Sequence, residues 1–224
     1  MRALAQITRG FLSFLTRLTV KKILMAVMAL GMLSCKSGAP SAKLEPGTLV
    51  LDKWHSKLTA VAMKNEVKPV ELHFPDLEGS LSTAPFKASV RVAIDTLDTG
   101  DKVRDNNVKT LFFEVAKAAI NKGATFDLTK LEGDPTAMKE GESFPMKATG
   151  TLSLHGAKLT LSGPLNVTRL SGGGYSASFK DLWTVNIKDA GMLEALENLN
   201  KNCPQPHRVG LNVALQGELV FVKP

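Results

Sequence analysis

The dominant pattern along this chain is alternation of apolar and polar side chains. In "KASVRVAID", Val90, Val92 and Ile94 share one face, and Ser89, Arg91 and Asp95 the other. "MKATGTLSLHG" puts Met146, Ala148, Leu152 and Leu154 together, and "AKLTLSG" puts Leu159 and Leu161 together. In "RVGLNVALQGELVFV" the apolar set is Val209, Leu211, Val213 and Leu215, interrupted at Gly217 and resumed at Leu219 and Phe221. A period of two places alternate side chains on opposite faces of a strand. Further strands are expected at 48–52, 57–64, 68–74, 77–82 and 175–188. Turns fall at His155-Gly156, Ser162-Gly163-Pro164 and Ser171 to Gly174.

Two segments depart from this period. Residues 101–113 read as a helix with Val103, Val108 and Leu111 on one side. "AGMLEALENLNK", at 190–201, carries a stripe of Met192, Leu193, Leu196 and Leu199. Roughly eight consecutive antiparallel strands must each bury one face and protect their edges, which a closed barrel or a two-sheet sandwich achieves. The expected fold is all-β, about eight antiparallel strands in a barrel or a sandwich, with one or two short helices. At that strand number the interior of a barrel is just wide enough for one small ligand.

The 224 residues suit one domain plus a tail, and the net charge of +7 raises the question of nucleic acid. Five of the 28 cations, Arg2, Arg9, Arg17, Lys21 and Lys22, lie in the first 35 residues, which hold no acid. What remains is 23 basic residues against 21 acidic ones, a net of +2. No electrostatic reason is left for the domain to seek nucleic acid.

The same segment reads as a leader. Lys21 and Lys22 precede an apolar run from Ile23 to Leu33 that ends at Ser34-Cys35. This is the order of a bacterial signal peptide, and the run falls short of the roughly 20 residues of a membrane span. A Cys at the cut resembles a lipoprotein box, in which Cys35 is acylated and becomes the N-terminus. A plain secretory signal or an uncleaved anchor is the alternative. Because "VKKIL" makes the better signal head, Val20 is the expected start, with residues 1–19 ahead of it. Residues 36–47, "KSGAPSAKLEPG", read as a tether, and 48–224 as the domain. Lys36 after the acylated cysteine, in place of Asp, points to the periplasmic side of an outer membrane. Lipidation of Cys35 leaves Cys203 without a partner, in a proline-bearing loop, as a bystander thiol.

Catalytic and metal motifs are not apparent. Asp95, Asp98, Asp101 and Asp105 are spaced by three, three and four, unlike the every-second-residue ligands of an EF-hand. Asp and Gly there read as a turn, with Asp101 opening the helix. His55, His73, His155 and His207 share no zinc spacing. There is no nucleophile elbow, and "SGGGYSASF" lies between strands with no following helix to hold a phosphate. An all-β domain with few catalytic candidates fits a binding module better than an enzyme, and no cofactor is implied.

Four blocks resemble the YceI-like family of lipocalin-like barrels associated with polyisoprenoids and related long-chain lipids. "DKWHSKLTA" (52–60) resembles its Asp-x-x-His-Ser opening, and "LHFPDLEGSL" (72–81) its second block, with Phe74 before the Gly. "VRVAIDTLDTGDKVRDNNVKTLFFEV" (90–115) is similar to its strand, Thr-Gly, Arg-Asp and Phe-Phe-acid succession. "GTLSLHGAKLTLSGPL" (150–165) resembles its Gly-x-Leu-x-x-His-Gly hairpin. The resemblance implies an antiparallel lipocalin-like β-barrel with a long-chain isoprenoid or fatty amphiphile held inside it. The residues implied in contact with it are Arg104, Phe112, Phe113, His55, Phe74, His155 and Trp183. Arg104 is the best single candidate for an anionic head group, or else half of an ion pair with Asp105. Phe112 and Phe113 line the tunnel or pack beneath the loop, and the two histidines touch the head group or hold strand ends. The alternative reading is a lipoprotein with a solid barrel that serves a structural or interaction role in the envelope and takes no small molecule. A homodimer is left open.

Overall fold

The computed structural model describes residues 47–203 and 208–224, so the leader, Cys35, nearly all of the tether and His207 lie outside the described residues. Eleven strands occur in chain order. They are β1 (Thr48–Leu51), β2 (Lys57–Lys64), β3 (Lys68–His73), β4 (Leu77–Thr83), β5 (Phe86–Ala93) and β6 (Gly123–Glu132). Then follow β7 (Ser143–Leu154), β8 (Ala157–Arg169), β9 (Tyr175–Phe179), β10 (Trp183–Asn186) and β11 (Val209–Val222).

These eleven strands form eight runs. β1 and β2 lie end to end along one side of β11, β9 and β10 along its other side, and β3 and β4 continue one another beside β2 and β1. Every run pairs antiparallel with the next in sequence, and β11 closes the ring onto β1 and β2. Closure pairs the edges of the main ring, while β3 pairs only with β2, apart from a His73–Asp98 bridge, and β10 only with β11.

The broken runs have local causes. Between β1 and β2, Asp52 Oδ1 accepts from the amides of Trp54 and His55, and Ser56 Oγ accepts from the Val220 amide at 2.9 Å. The Asp-x-x-His-Ser block thus builds a corner held to β11. The expected strand at 175–188 is split at residues 180–182, giving β9 and β10. Gly217 faces Leu58 where β2 comes closest, and a Cβ there would lie 2.2 Å from the Lys57 carbonyl oxygen.

One strand has no counterpart in the sequence reading. β6 alternates over Ala124, Phe126 and Leu128, but a bulge between Leu128 and Lys130 shifts the register and hides the period. The inward faces otherwise match expectation: Val90, Val92, Ile94, Met146, Ala148, Leu152, Leu154 and Leu161 are all buried. Leu211 departs, being exposed, because the pairing of β11 with β2 is irregular between Val209 and Val213.

The expected helix at 101–113 is composite. α1 spans Lys102–Asn107, with Asp101 accepting from the amides of Val103 and Arg104 as its N-cap. It runs on into a π-helical turn, Val108–Phe112, closed by the Phe113 amide on the Val108 carbonyl. Val108 turns inward and Val103 faces solvent. The second helix, α2, spans Leu193–Asn202; its inward stripe is Met192, Ala195, Leu196 and Leu199, with Leu193 outside.

Candidate ligand-binding cavity

The barrel interior differs between its two ends. At one end lie the β1 N-terminus, the β4–β5 and β8–β9 turns, the β6–β7 connection and the C-terminus. Here aromatic rings from distant strands meet: Trp183 stands edge-on to Phe126 and Phe179 at 5.7 and 5.2 Å, and Tyr175 to Phe86 at 5.5 Å. Gly150 and Gly163 make room for them. A Cβ on Gly150 would come within 2.2 Å of the Phe126 ring, and one on Gly163 within 2.1 Å of Trp183 Nε1. The Tyr175 hydroxyl donates to the Pro135 carbonyl at 3.3 Å, and Arg169 lies 4.3 Å from its ring centre. Burial raises the Tyr175 pKa despite Arg169 beside it. This end is filled.

The other end carries the β2–β3 and β7–β8 turns, α1 with its π-helical turn, and α2. It encloses a cavity of about 330 Å³. Its walls are inward side chains of the same runs: Leu58, Ala60 and Ala62 from β2, Val70 and Leu72 from β3, Leu152 and Leu154 from β7. Val92, Ala124, Val185 and Leu215 continue the wall, and Leu196 and Leu199 of α2 cover it. The polar side chains are few: Lys64, Asp101, Arg104 and Asn107, from the end of β2 and from α1. Cys203 adds a thiol that is free among the described residues. An apolar cleft of this size with a few convergent polar groups is the general form of a small-molecule site.

Residues 49–221 match the YceI-like domain. The chain belongs to the YceI-like family. Among solved structures, a domain from Saccharophagus degradans described as a polyisoprenoid binding domain implicated in plant cell wall breakdown superposes with a TM-score of 0.70 at 22% identity. That match covers 80% of this chain and 99% of the other. BcnA of Burkholderia cenocepacia gives 0.59 at 18% identity, covering 76% of this chain and 98% of the other. At these identities the likeness speaks for the fold. No match is found among the curated proteins.

The YceI-like blocks can now be placed around the cavity. Phe112 and Phe113 line it as an edge-to-face pair, centroids 4.8 Å apart, and Phe74 lines it from the junction of β3 and β4. The π-helical turn brings the two adjacent phenylalanines to the same chamber, and such turns recur at functional sites. Arg104 lines the mouth. Its charged neighbour is Asp101, at 3.6 Å, and Nη1 donates to the Thr99 carbonyl at 3.4 Å.

Asp105 is bound elsewhere. Its Oδ1 accepts from the Thr99 amide at 2.8 Å and hydroxyl at 2.7 Å, and Lys102 is its ionic neighbour at 3.6 Å. Burial pushes the Asp105 pKa up, but the Thr99 hydrogen bonds, with Lys102 and Lys109 near, outweigh it and hold the pKa below the usual carboxylate value. Asp105 therefore anchors the helix to the turn before it, and Arg104 is left at the mouth.

Three other candidates sit away from the cavity walls. His55 is exposed and binds Asp52 Oδ2 through Nδ1 at 2.6 Å in the β1–β2 corner; this bond, before any opposing burial, lowers the Asp52 pKa. His155 occupies the β7–β8 turn with Gly156, both at positive φ, a geometry that histidine tolerates better than most residues. Its ring faces Glu114, Nε2 to Oε2 3.5 Å. Trp183 belongs to the filled end; its Nε1 donates to the Pro164 carbonyl at 3.4 Å. Inward orientation on the strand is the same for Trp183 and Val185, and only their height along the barrel separates plug from wall. Lys64 and Asn107 were not singled out in the sequence. Lys64 ends a strand beside a positive-φ Asn65-Glu66 turn, which is the signal that places it at a barrel rim.

Proposed function

We propose that the protein binds and carries a long-chain isoprenoid or other fatty amphiphile, with the apolar chain in the cavity and the head group at the mouth. The observation that carries this reading is the apolar 330 Å³ chamber bordered at its mouth by Lys64, Arg104 and Asn107. The family membership supports it, as does the description of the Saccharophagus domain as polyisoprenoid binding.

Each buried methylene contributes about 0.8 kcal/mol, so a dozen carbons contribute roughly 10 kcal/mol before costs. Association costs an estimated 4–15 kcal/mol, so the chain alone gives little net affinity. Head-group contacts therefore decide how tightly a ligand is held. Lys64 and Arg104 favour an anionic or strongly accepting head, Arg104 through its planar fork. Among the described residues the chamber offers no nucleophile paired with a base, and the reading is of a carrier.

The leader assigns the carrier to the cell envelope: a lipoprotein acylated at Cys35, tethered by residues 36–47, on the periplasmic side of the outer membrane. A barrel in a purely structural role would have no need of an apolar chamber of this volume at one end.

Native mass spectrometry of the protein purified from its host's membranes tests the proposal. One amphiphile per barrel, recovered by solvent extraction, is the expected result. A barrel that is free of adducts and takes up neither prenyl nor acyl chains overturns it.

A further inference from the structure

Two exposed valines stand at the cavity end of the barrel, on separate segments that both line the mouth. Val67, 80% exposed, is at the tip of the β2–β3 hairpin, in the sequence Lys64-Asn65-Glu66-Val67-Lys68. Val103, 68% exposed, opens α1 in the sequence Lys102-Val103-Arg104 and itself borders the cavity. Arg208 adds a cation beside the hairpin tip, its amide donating to Asn65 Oδ1 at 2.9 Å and its carbonyl accepting from the Asn65 amide at 2.6 Å.

Exposed large aliphatic residues at a loop tip gain nothing from water; Val103 stands between Lys102 and Arg104, and Val67 between Glu66 and Lys68, with Lys64 and Arg208 at the same hairpin. The acids nearby are largely committed. Asp101 caps α1, Asp105 is buried on Thr99, and Asp98 accepts from the Gly100 amide. Glu66 is the one uncommitted carboxylate in the hairpin tip. Apolar tips set among Lys and Arg suit the headgroup region of a bilayer carrying anionic lipid, where shallow insertion and electrostatic attraction add. Among the described residues the chain enters the barrel at Thr48, at the filled end, opposite this face.

We propose that the mouth docks onto an anionic lipid surface through Val67 and Val103, with Lys64, Lys68, Lys102, Arg104 and Arg208 as its charged rim. Docking sets the opening of the chamber against the headgroups, so an amphiphile passes between bilayer and barrel without crossing open water. The inference takes its purpose from the carrier reading but not its test. A barrel can dock empty, and a barrel that never docks can still yield a bound lipid.

The test is amide hydrogen exchange on the full chain, with phosphatidylglycerol-containing vesicles and with phosphatidylcholine vesicles, no ligand added. Exchange at residues 64–68 and 101–105 is expected to slow severalfold with the anionic vesicles only, while the filled-end segment 133–142 is unchanged. The variant Val67→Asp/Val103→Asp is expected to lose that protection with an unaltered melting midpoint. Equal protection at both ends of the barrel overturns the proposal, and so does protection indifferent to lipid charge. Protection by soluble polyglutamate but not by vesicles also overturns it, in favour of an acidic protein partner.

Discussion

The two halves of the barrel are built from the same eight runs and the same inward alternation, yet one is full and the other hollow. In the filled half Phe126, Phe179 and Trp183 converge, and Gly150 and Gly163 are kept free of side chains so that they fit. In the hollow half the strands contribute Val and Leu with Ala60, Ala62 and Ala124, the rings present (Phe74, Phe112 and Phe113) come from connecting segments, and helical segments lie over the gap. The same amphipathic strand thus fills the interior at one height and walls a cavity at another. The difference teaches that a barrel's capacity is set by where its large rings meet, not by how apolar its interior is.

Substitutions that treat the halves alike should therefore give opposite results. Trp183→Ala empties the plug and is expected to cost about 3–5 kcal/mol of stability, read by denaturant unfolding. Asp105→Ala leaves both Thr99 donors unpaired and is expected to cost about 2–3 kcal/mol. The Asp105 effect carries a pH signature. Its folded-state pKa lies below the unfolded value of about 3.9, so its contribution is present above that pH and is lost as pH falls through the folded value. Asp105→Asn should flatten that acid limb of the stability profile. Gly163→Val drives a side chain into Trp183 and is expected to cost about 1–3 kcal/mol as overpacking.

Ala62→Phe makes the same kind of enlargement in the hollow half and is expected to change stability by less than about 1 kcal/mol while abolishing ligand uptake. Arg104→Gln is the mildest. Stability stays within about 0.5 kcal/mol because the side chain is half exposed, and binding weakens selectively for acid-headed chains. A titration with matched prenyl alcohol and prenyl phosphate would show it.

Much of this architecture was legible in the sequence. The alternation around Val90, Met146 and Leu159 announces strands; edge protection admits a barrel or a sandwich, and the YceI-like blocks are what point to the barrel. β6 was hidden by a single bulge at Leu128, and β9 and β10 merged because the break at residues 180–182 contains no glycine or proline. The YceI-like blocks held Phe74, Arg104, Phe112 and Phe113, all of which reach the cavity. They also held His55 and His155, whose surroundings are turns. A motif marks a place in the fold whether it binds a ligand or bends the chain, and sequence does not separate the two. Nor could it separate Trp183 from Val185, since plug and wall differ only in which distant strands supply the neighbouring rings. Lys64 was missed because its role depends on α1 lying across from the end of β2.

The most direct test of the central claim is equilibrium binding of a fluorescent prenyl probe to the wild-type chain and to Ala62→Phe, with folding checked by near-UV circular dichroism. Saturable uptake of one probe per barrel by the wild type, lost in the folded variant, is the predicted result. Equal binding by both chains, or none by either after delipidation, would contradict the hollow half as the ligand site.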